Sequence, residues 1–233
     1  MTAFAVKQYA NPKVARMPDI LVYEELNGRR LYRKGYKKFL NHTKTIEEIM
    51  GCSSLQAAIV SVLLSYLYKQ IEDEGYEIMT NEAGLHVSLG NNLSSDIIVY
   101  EREDFLKYRL DNHYFDTAPK IVIEVDVKIE VEDMEATEYW TKKTEMLLSF
   151  GVEKVIWFFS EDKKMIIAEQ NKDLLIQDWT NDFELMPNHT INIEQMIEQK
   201  GYKVWPPQYF QQKKALQTVF VGDAFFIFTF AKN

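Results

Sequence analysis

The chain has 233 residues, 46% of them hydrophobic and 13% aromatic, with a formal net charge of −8. That composition excludes a disordered chain and favours one large domain over two with small cores. The net acidity argues against a protein that coats nucleic acid over its whole surface, but it leaves room for a local basic patch.

Residues 1–18 read as an irregular lead-in without the apolar run after a basic start that marks a secretory signal. Residues 20–26 predict a strand, Asn27-Gly28 a tight turn, and Leu31-Tyr32-Arg33 the returning strand. Around and beyond that turn lies a basic stretch: Arg29, Arg30, Arg33, Lys34, Lys37, Lys38 and Lys44, interleaved with Tyr32, Tyr36 and Phe39. It is the best candidate for touching phosphates; the alternative is a solvated surface hairpin. The lone cysteine, Cys52, excludes an intramolecular disulfide and suits a reducing cytoplasm.

The clearest helix spans 54–74, where Leu55, Ile59, Val62, Leu63, Tyr66, Leu67 and Ile71 form an apolar stripe. Ser53 and Gln56 have the spacing of a capping box, and Gly75 closes the helix. Short strands are predicted at 76–80, 85–89 and 96–100. Residues 120–128 alternate, with Ile121, Ile123, Val125 and Val127 on one face and Val122, Glu124, Asp126 and Lys128 on the other. A helix at 134–150 stops at Gly151, strands follow at 153–159, 164–169 and 173–178, and a short helix lies at 193–199. The apolar segment 219–231 is too short to span a bilayer and reads as a hairpin turned at Gly222-Asp223. The expected architecture is mixed α/β (α+β), a central mixed sheet flanked by helices with hairpins at both ends. It is read as a single domain over 1–233, with a core of about 20–200 and a β extension over 201–233.

Three residues carry potential chemistry. Asp96 opens an apolar strand, a place for a site residue, though taken alone an Asp after Ser94-Ser95 reads first as a turn residue. Glu124 sits mid-strand, where a carboxylate needs a partner or a metal unless that face is wet. Lys143 falls on the apolar stripe of its helix, between Trp140 and Leu147, so it must either snorkel to water or meet acids. Two carboxylates from neighbouring strands can hold Mg²⁺, which polarises a phosphate and acidifies water, and a nearby ammonium can stabilise the charge that develops on phosphorus.

At these residues the sequence resembles the Uma-two family of restriction endonucleases, from about Tyr23 to Trp157. The Tyr23-Glu24-Glu25-Leu26-Asn27-Gly28 segment is similar to that family's N-terminal hairpin. Ser94-Ser95-Asp96-Ile97-Ile98-Val99 is similar to its Pro-Asp strand, with serine in place of proline, and Lys120–Val125 to its acidic strand. Lys143 through Gly151-Val152-Glu153-Lys154-Val155-Ile156-Trp157 resembles its lysine helix, turn and aromatic strand, the most specific of these matches. The resemblance implies a restriction-endonuclease-like (PD-(D/E)XK) fold with the lysine moved to the helix. It implies Asp96 and Glu124 as ligands of Mg²⁺ or Mn²⁺, Lys143 as the catalytic lysine, Glu24 as an outer residue and the Val125 carbonyl as a further ligand. One departure creates a rival register, because Asp126-Val127-Lys128 is itself a D-x-K triplet.

The leading expectation is a Mg²⁺-dependent deoxyribonuclease acting on DNA in the cytoplasm. The competing one is a catalytically inactive member of the fold, binding or regulating as a homodimer through the C-terminal hairpin. Four scattered histidines and the lack of a Gly-rich loop give no support to a zinc protease or a nucleotide-binding enzyme.

Overall fold

The computed structural model describes residues 17–204, 218–221 and 224–227. Strands β1 (Val22–Leu26) and β2 (Arg29–Tyr32) form the N-terminal hairpin. Its turn residues Asn27 and Gly28 have φ of 52° and 72°, the left-handed values such a two-residue turn requires. The basic stretch is not a hairpin alone: β2 is followed by two short helices, α1 (Tyr36–Leu40) and α2 (Ile46–Met50). Helix α3 (Ser54–Gln70) starts where Ser53 Oγ accepts the Gln56 N–H at 3.1 Å. The return half of the expected capping box is missing, because the Gln56 side chain donates instead to the Val125 carbonyl at 3.0 Å. The helix also ends earlier than its stripe suggests: a 3-10 turn at Glu72–Glu74 and Gly75, with φ of 97°, carry the chain into the sheet.

The three short strands predicted next are two long ones, β3 (Tyr76–Ser88) and β4 (Asn91–Glu101). A bulge splits β3 at Asn81 and Glu82, both left-handed at φ of 70° and 54°, which is why the sequence pattern breaks there. After α4 (Arg102–Phe105) come β5 (Ile121–Val125), α5 (Ala136–Phe150), β6 (Lys154–Phe159), β7 (Lys164–Glu169) and β8 (Leu175–Asp178). A small hairpin, β9 (Phe183–Met186) and β10 (His189–Ile191), precedes α6 (Ile193–Gln199). Strands β11 (Thr218–Val221) and β12 (Ala224–Ile227) pair antiparallel, while the Gly222-Asp223 turn lies outside the described residues.

The main sheet runs β2-β1-β4-β5-β6-β7-β8, with β3 also paired to β4. It is mixed: β5 and β6 are parallel, joined by the α5 crossover, and the other pairs are antiparallel. Alternation divides the central strands between two layers. Ile97, Val99, Ile121, Ile123 and Val125 pack with Ile59, Val62, Leu63 and Leu67 of α3. Ile98, Tyr100 and Val122 pack on the other side with Tyr139, Trp140 and Leu147 of α5. Among the described residues, no helix is long and apolar enough to cross a membrane.

Candidate functional site

The site grows from a fork in the sheet. Along one edge, β4 pairs with β3; on the opposite edge it meets β1 at Asn92 and β5 only from Ile97 onward. Between those two contacts, backbone groups of β4 need other partners. Ser94 finds them in side chains: its N–H donates to Glu24 Oε1 at 2.9 Å, and its carbonyl accepts from Lys143 Nζ at 2.6 Å. Glu24 arrives from β1, Glu124 from β5 and Lys143 from α5, so three elements converge on the fork.

Lys143 does not snorkel. It is fully buried, and its Nζ donates to Glu24 Oε1 at 2.6 Å and to the Tyr139 hydroxyl at 3.3 Å as well as to Ser94. Glu124 Oε1 lies 2.9 Å from the same nitrogen as an ion pair, and no hydrogen bond reaches that oxygen. Tyr139 donates to Glu24 Oε2 at 2.6 Å, so both Glu24 oxygens are satisfied and Glu124 is the less well partnered acid. Burial pushes the Glu124 carboxyl up to about 7; Lys143 pulls it down, but Asp96 and Glu24 add to the rise. Burial disfavours the Lys143 ammonium, yet Glu124 and Glu24 outweigh it and hold that amine above its ordinary range. Burial and then the neighbouring acids also raise the hydroxyls of Tyr139 and Tyr23, and the Tyr23 hydroxyl has no hydrogen-bond partner.

Asp96 and Glu124 continue the antiparallel β4–β5 register by one step beyond Ile97 and Ile123, on the face turned to α5. The Asp96 carboxylate is tied on both oxygens: Oδ2 accepts the Val125 N–H at 2.8 Å, and Oδ1 accepts from Lys128 Nζ. The expected shared face for Glu124, Asp126 and Lys128 does not exist. All five residues of β5 are buried, the strand ends at Val125, and Asp126 is left-handed at φ of 61°. Its carboxylate caps the end of β6 by accepting the Ser160 N–H at 2.7 Å and the Ser160 hydroxyl at 2.6 Å. The turn at Asp126 sends Lys128 back to Asp96.

A cleft of about 1570 Å³ opens over this end of the sheet. That is larger than the roughly 300–1,000 Å³ of a small-molecule pocket and suits a polymer better. Asp96, Lys128 and Asp126 lie on its floor; Arg33, Lys34, Lys37, Lys38 and Lys44 line it from the basic stretch. Arg33 is paired with Glu82 and Lys37 with Glu132, whereas Lys34, Lys38 and Lys44 are exposed and carry no ion pair among the described residues. Glu24, Glu124 and Lys143 lie beneath the floor, out of contact with the cleft.

The chain matches no protein-family model and no curated protein. Among solved structures it is similar to a protein from Anabaena variabilis described as "a putative nuclease belonging to DUF820". The TM-score is 0.53 at 15% identity, and the match covers 75% of this chain and 89% of that one. At that identity the likeness is one of fold. The chain has the expected mixed α+β, restriction-endonuclease-like architecture, a large mixed sheet flanked by helices.

The residues suit a hard divalent cation in one respect. Three carboxylates, Glu24, Glu124 and Asp96, face two ammonium groups, Lys143 and Lys128, which leaves one surplus negative charge when all are ionised. The buried Glu124 oxygen that lacks a hydrogen bond is where that surplus is least well met. Among the described residues, no group of three or more His, Cys, Asp or Glu side chains is arranged to hold a metal ion. Mg²⁺ nevertheless commonly takes one or two carboxylates and keeps several waters; the Val125 carbonyl already accepts from the Gln56 side chain at 3.0 Å. Two contacts escaped the sequence reading. Tyr139 precedes Lys143 by four residues on one helix face, a spacing that was legible. The Lys128–Asp96 contact was hidden because it depends on the left-handed turn at Asp126.

Proposed function

We propose that the chain hydrolyses phosphodiester bonds of DNA with metal assistance. The observation that carries this reading is the register pairing of Asp96, on the floor of the cleft, with Glu124, buried just beneath it, under a wall carrying three lysines that have no ion pair among the described residues. The fold it shares with the Anabaena protein, itself described as a putative nuclease, supports the reading. Asp96 and Glu124 would hold Mg²⁺ or Mn²⁺, with the Val125 carbonyl joining them only if Gln56 releases it; when bound, the metal supplies Lewis-acid polarisation of a phosphate oxygen. Lys143 keeps Glu124 in place, and the fully bonded Glu24 keeps Lys143 in place. Lys34, Lys38 and Lys44 draw in the polyanion and orient its backbone. In the hydrolysis a water oxygen bonds to phosphorus and the bond from phosphorus to the leaving sugar oxygen breaks. The water loses one proton and the leaving oxygen gains one.

A second reading follows from one specific contact. Lys128 already neutralises Asp96, as it would in a member of the fold that binds nucleic acid without cutting it. Nicking of supercoiled plasmid with Mg²⁺ or Mn²⁺, abolished in Asp96→Ala and in Glu124→Gln, supports the nuclease. DNA binding with no cleavage in either metal, and no Mn²⁺ bound, supports the second reading.

A further inference from the structure

The structure contains two lysines at the candidate centre, and their surroundings differ enough to divide their roles. Lys143 has three ammonium hydrogens and three hydrogen-bond acceptors: Glu24 Oε1, the Ser94 carbonyl and the Tyr139 hydroxyl. No donor is left for a substrate, no part of the residue reaches the cleft, and moving it would strand two buried carboxylates. Lys128 is the reverse. Its Nζ touches Asp96, its side chain is 17% exposed, and it lines the cleft floor. Among the described residues the only acceptor on its ammonium is Asp96, which leaves two donors. The backbone around it is fixed. Ser160 pins Asp126 in its left-handed turn, and the Lys128 carbonyl accepts the Lys34 N–H at 2.8 Å. The flexible four-carbon stem therefore swings from an anchored base.

We infer that Lys128 is the ammonium that meets the scissile phosphate, and that Lys143 is a positioning residue for Glu24 and Glu124. The inference rests on the phosphodiesterase reading above. Lys128 waits on Asp96, which places one cation beside the carboxylate a metal ion would also use. When DNA enters the cleft, the long stem lets Nζ turn to a non-bridging phosphate oxygen and stabilise the charge gathering there. Asp96 is freed by the same movement.

The test compares wild type with Lys128→Met and Lys128→Arg, with folding checked by circular dichroism. Three quantities are read: DNA affinity against salt in EDTA, Mn²⁺ affinity by electron paramagnetic resonance, and single-turnover cleavage. For Lys128→Met we expect the salt slope to fall by about 0.9, the increment for one lost phosphate contact. Mn²⁺ should bind as well or more tightly, since a competing cation is gone. Cleavage should drop roughly 10²–10³-fold, the loss that follows removal of one positioned donor. Lys128→Arg should restore the slope and part of the rate. Wild-type cleavage in Lys128→Met overturns the inference. Parallel loss of Mn²⁺ affinity and cleavage, with an unchanged salt slope, also overturns it, because Lys128 would then only hold Asp96. A wild type inert with every metal sinks the nuclease reading and this one together, and the inert wild type distinguishes that outcome from the other two.

Discussion

The two faces of β4 and β5 do different work although they share a backbone. Ile97, Val99, Ile121, Ile123 and Val125 meet α3 through aliphatic side-chain contacts, the arrangement that apolar burial favours most simply, with the Gln56 bond to the Val125 carbonyl as a polar exception. One residue over, the same strands turn Asp96 and Glu124 toward α5, and there the interior holds three carboxylates and a lysine that is 0% exposed. A buried ion pair is weak as a source of stability, because desolvation offsets much of the Coulombic gain. The α3 face therefore contributes most to holding the domain together, while the α5 face keeps a charged arrangement that burial alone does not favour, as the proposed metal site would require.

That division breaks most visibly at Lys143. Lys143→Met should cost about 3–5 kcal/mol in urea denaturation, because it leaves Glu24 and Glu124 buried without their counter-charge. The double variant Glu24→Gln with Lys143→Met should recover much of that loss, and failure to do so would mean that the cost is packing rather than charge. On the other face, Leu63→Ala should cost about 2–5 kcal/mol through the cavity it leaves, with Mn²⁺ affinity untouched. If Leu63→Ala weakened metal binding as much as folding, the two faces would not be separable.

Glu124 gives a pH-dependent test of the same contrast. Its folded carboxyl titrates near 7, above the ordinary value of 4.5, so between those pH values the folded state holds a proton that the unfolded chain has lost. Its contribution to stability is therefore present at acid pH and disappears as pH rises through about 7. Glu124→Gln should flatten that dependence in urea midpoints measured at pH 5 and pH 8. Mn²⁺ binding to wild type should run the opposite way, tightening as the carboxyl ionises. A wild-type stability that rose over that interval, after allowing for the other groups seen in Glu124→Gln, would place the buried proton elsewhere.

Legibility followed periodicity. The α3 stripe, the elements β5, α5 and β6, and the N-terminal hairpin are plain in the sequence because 3.6- and two-residue patterns and an Asn-Gly turn specify them, whereas the parallel pairing of β5 with β6 is not. Lys143 was legible as an exception to a stripe. What the pattern left open was which acids it would meet, since Glu24 lies 119 positions away and joins it only through the fork in the sheet. The Asp126 and Lys128 assignments failed on a local fact: alternation was carried past Val125, where the chain leaves β geometry at φ of 61°. The bulge at Asn81 and Glu82 made one strand look like two for the same reason. Helix α2 was missed although Thr45 and Glu48 form a full capping box, because five residues are too few to show a period. These irregular positions gather around the cleft: Asn81, Glu82 and Asp126 all line it. Departures from local preference are expected at functional sites, and these three agree with the proposed one.

The smallest effect tests the cleft wall against its floor. Lys34, Lys38 and Lys44 have no acidic partner among the described residues, whereas Arg33 and Lys37 are engaged by Glu82 and Glu132. Unpaired lysines are the ones free to replace counterions on a phosphate backbone. Each one that does so should contribute about 0.9 to the slope of log affinity against log salt, so the triple alanine variant should lose about 2.7. Lys37→Ala should change the slope less, because Lys37 stays bound to Glu132 instead of turning to the DNA. None of these variants should alter urea stability by more than about 0.5 kcal/mol, as is usual for exposed positions. A triple variant that kept the full slope would move the DNA to another surface. Asp96, on the floor, and Glu124, beneath it, would then lie under a cleft that no phosphate backbone crosses, and the proposed reading would need a ligand of a different kind.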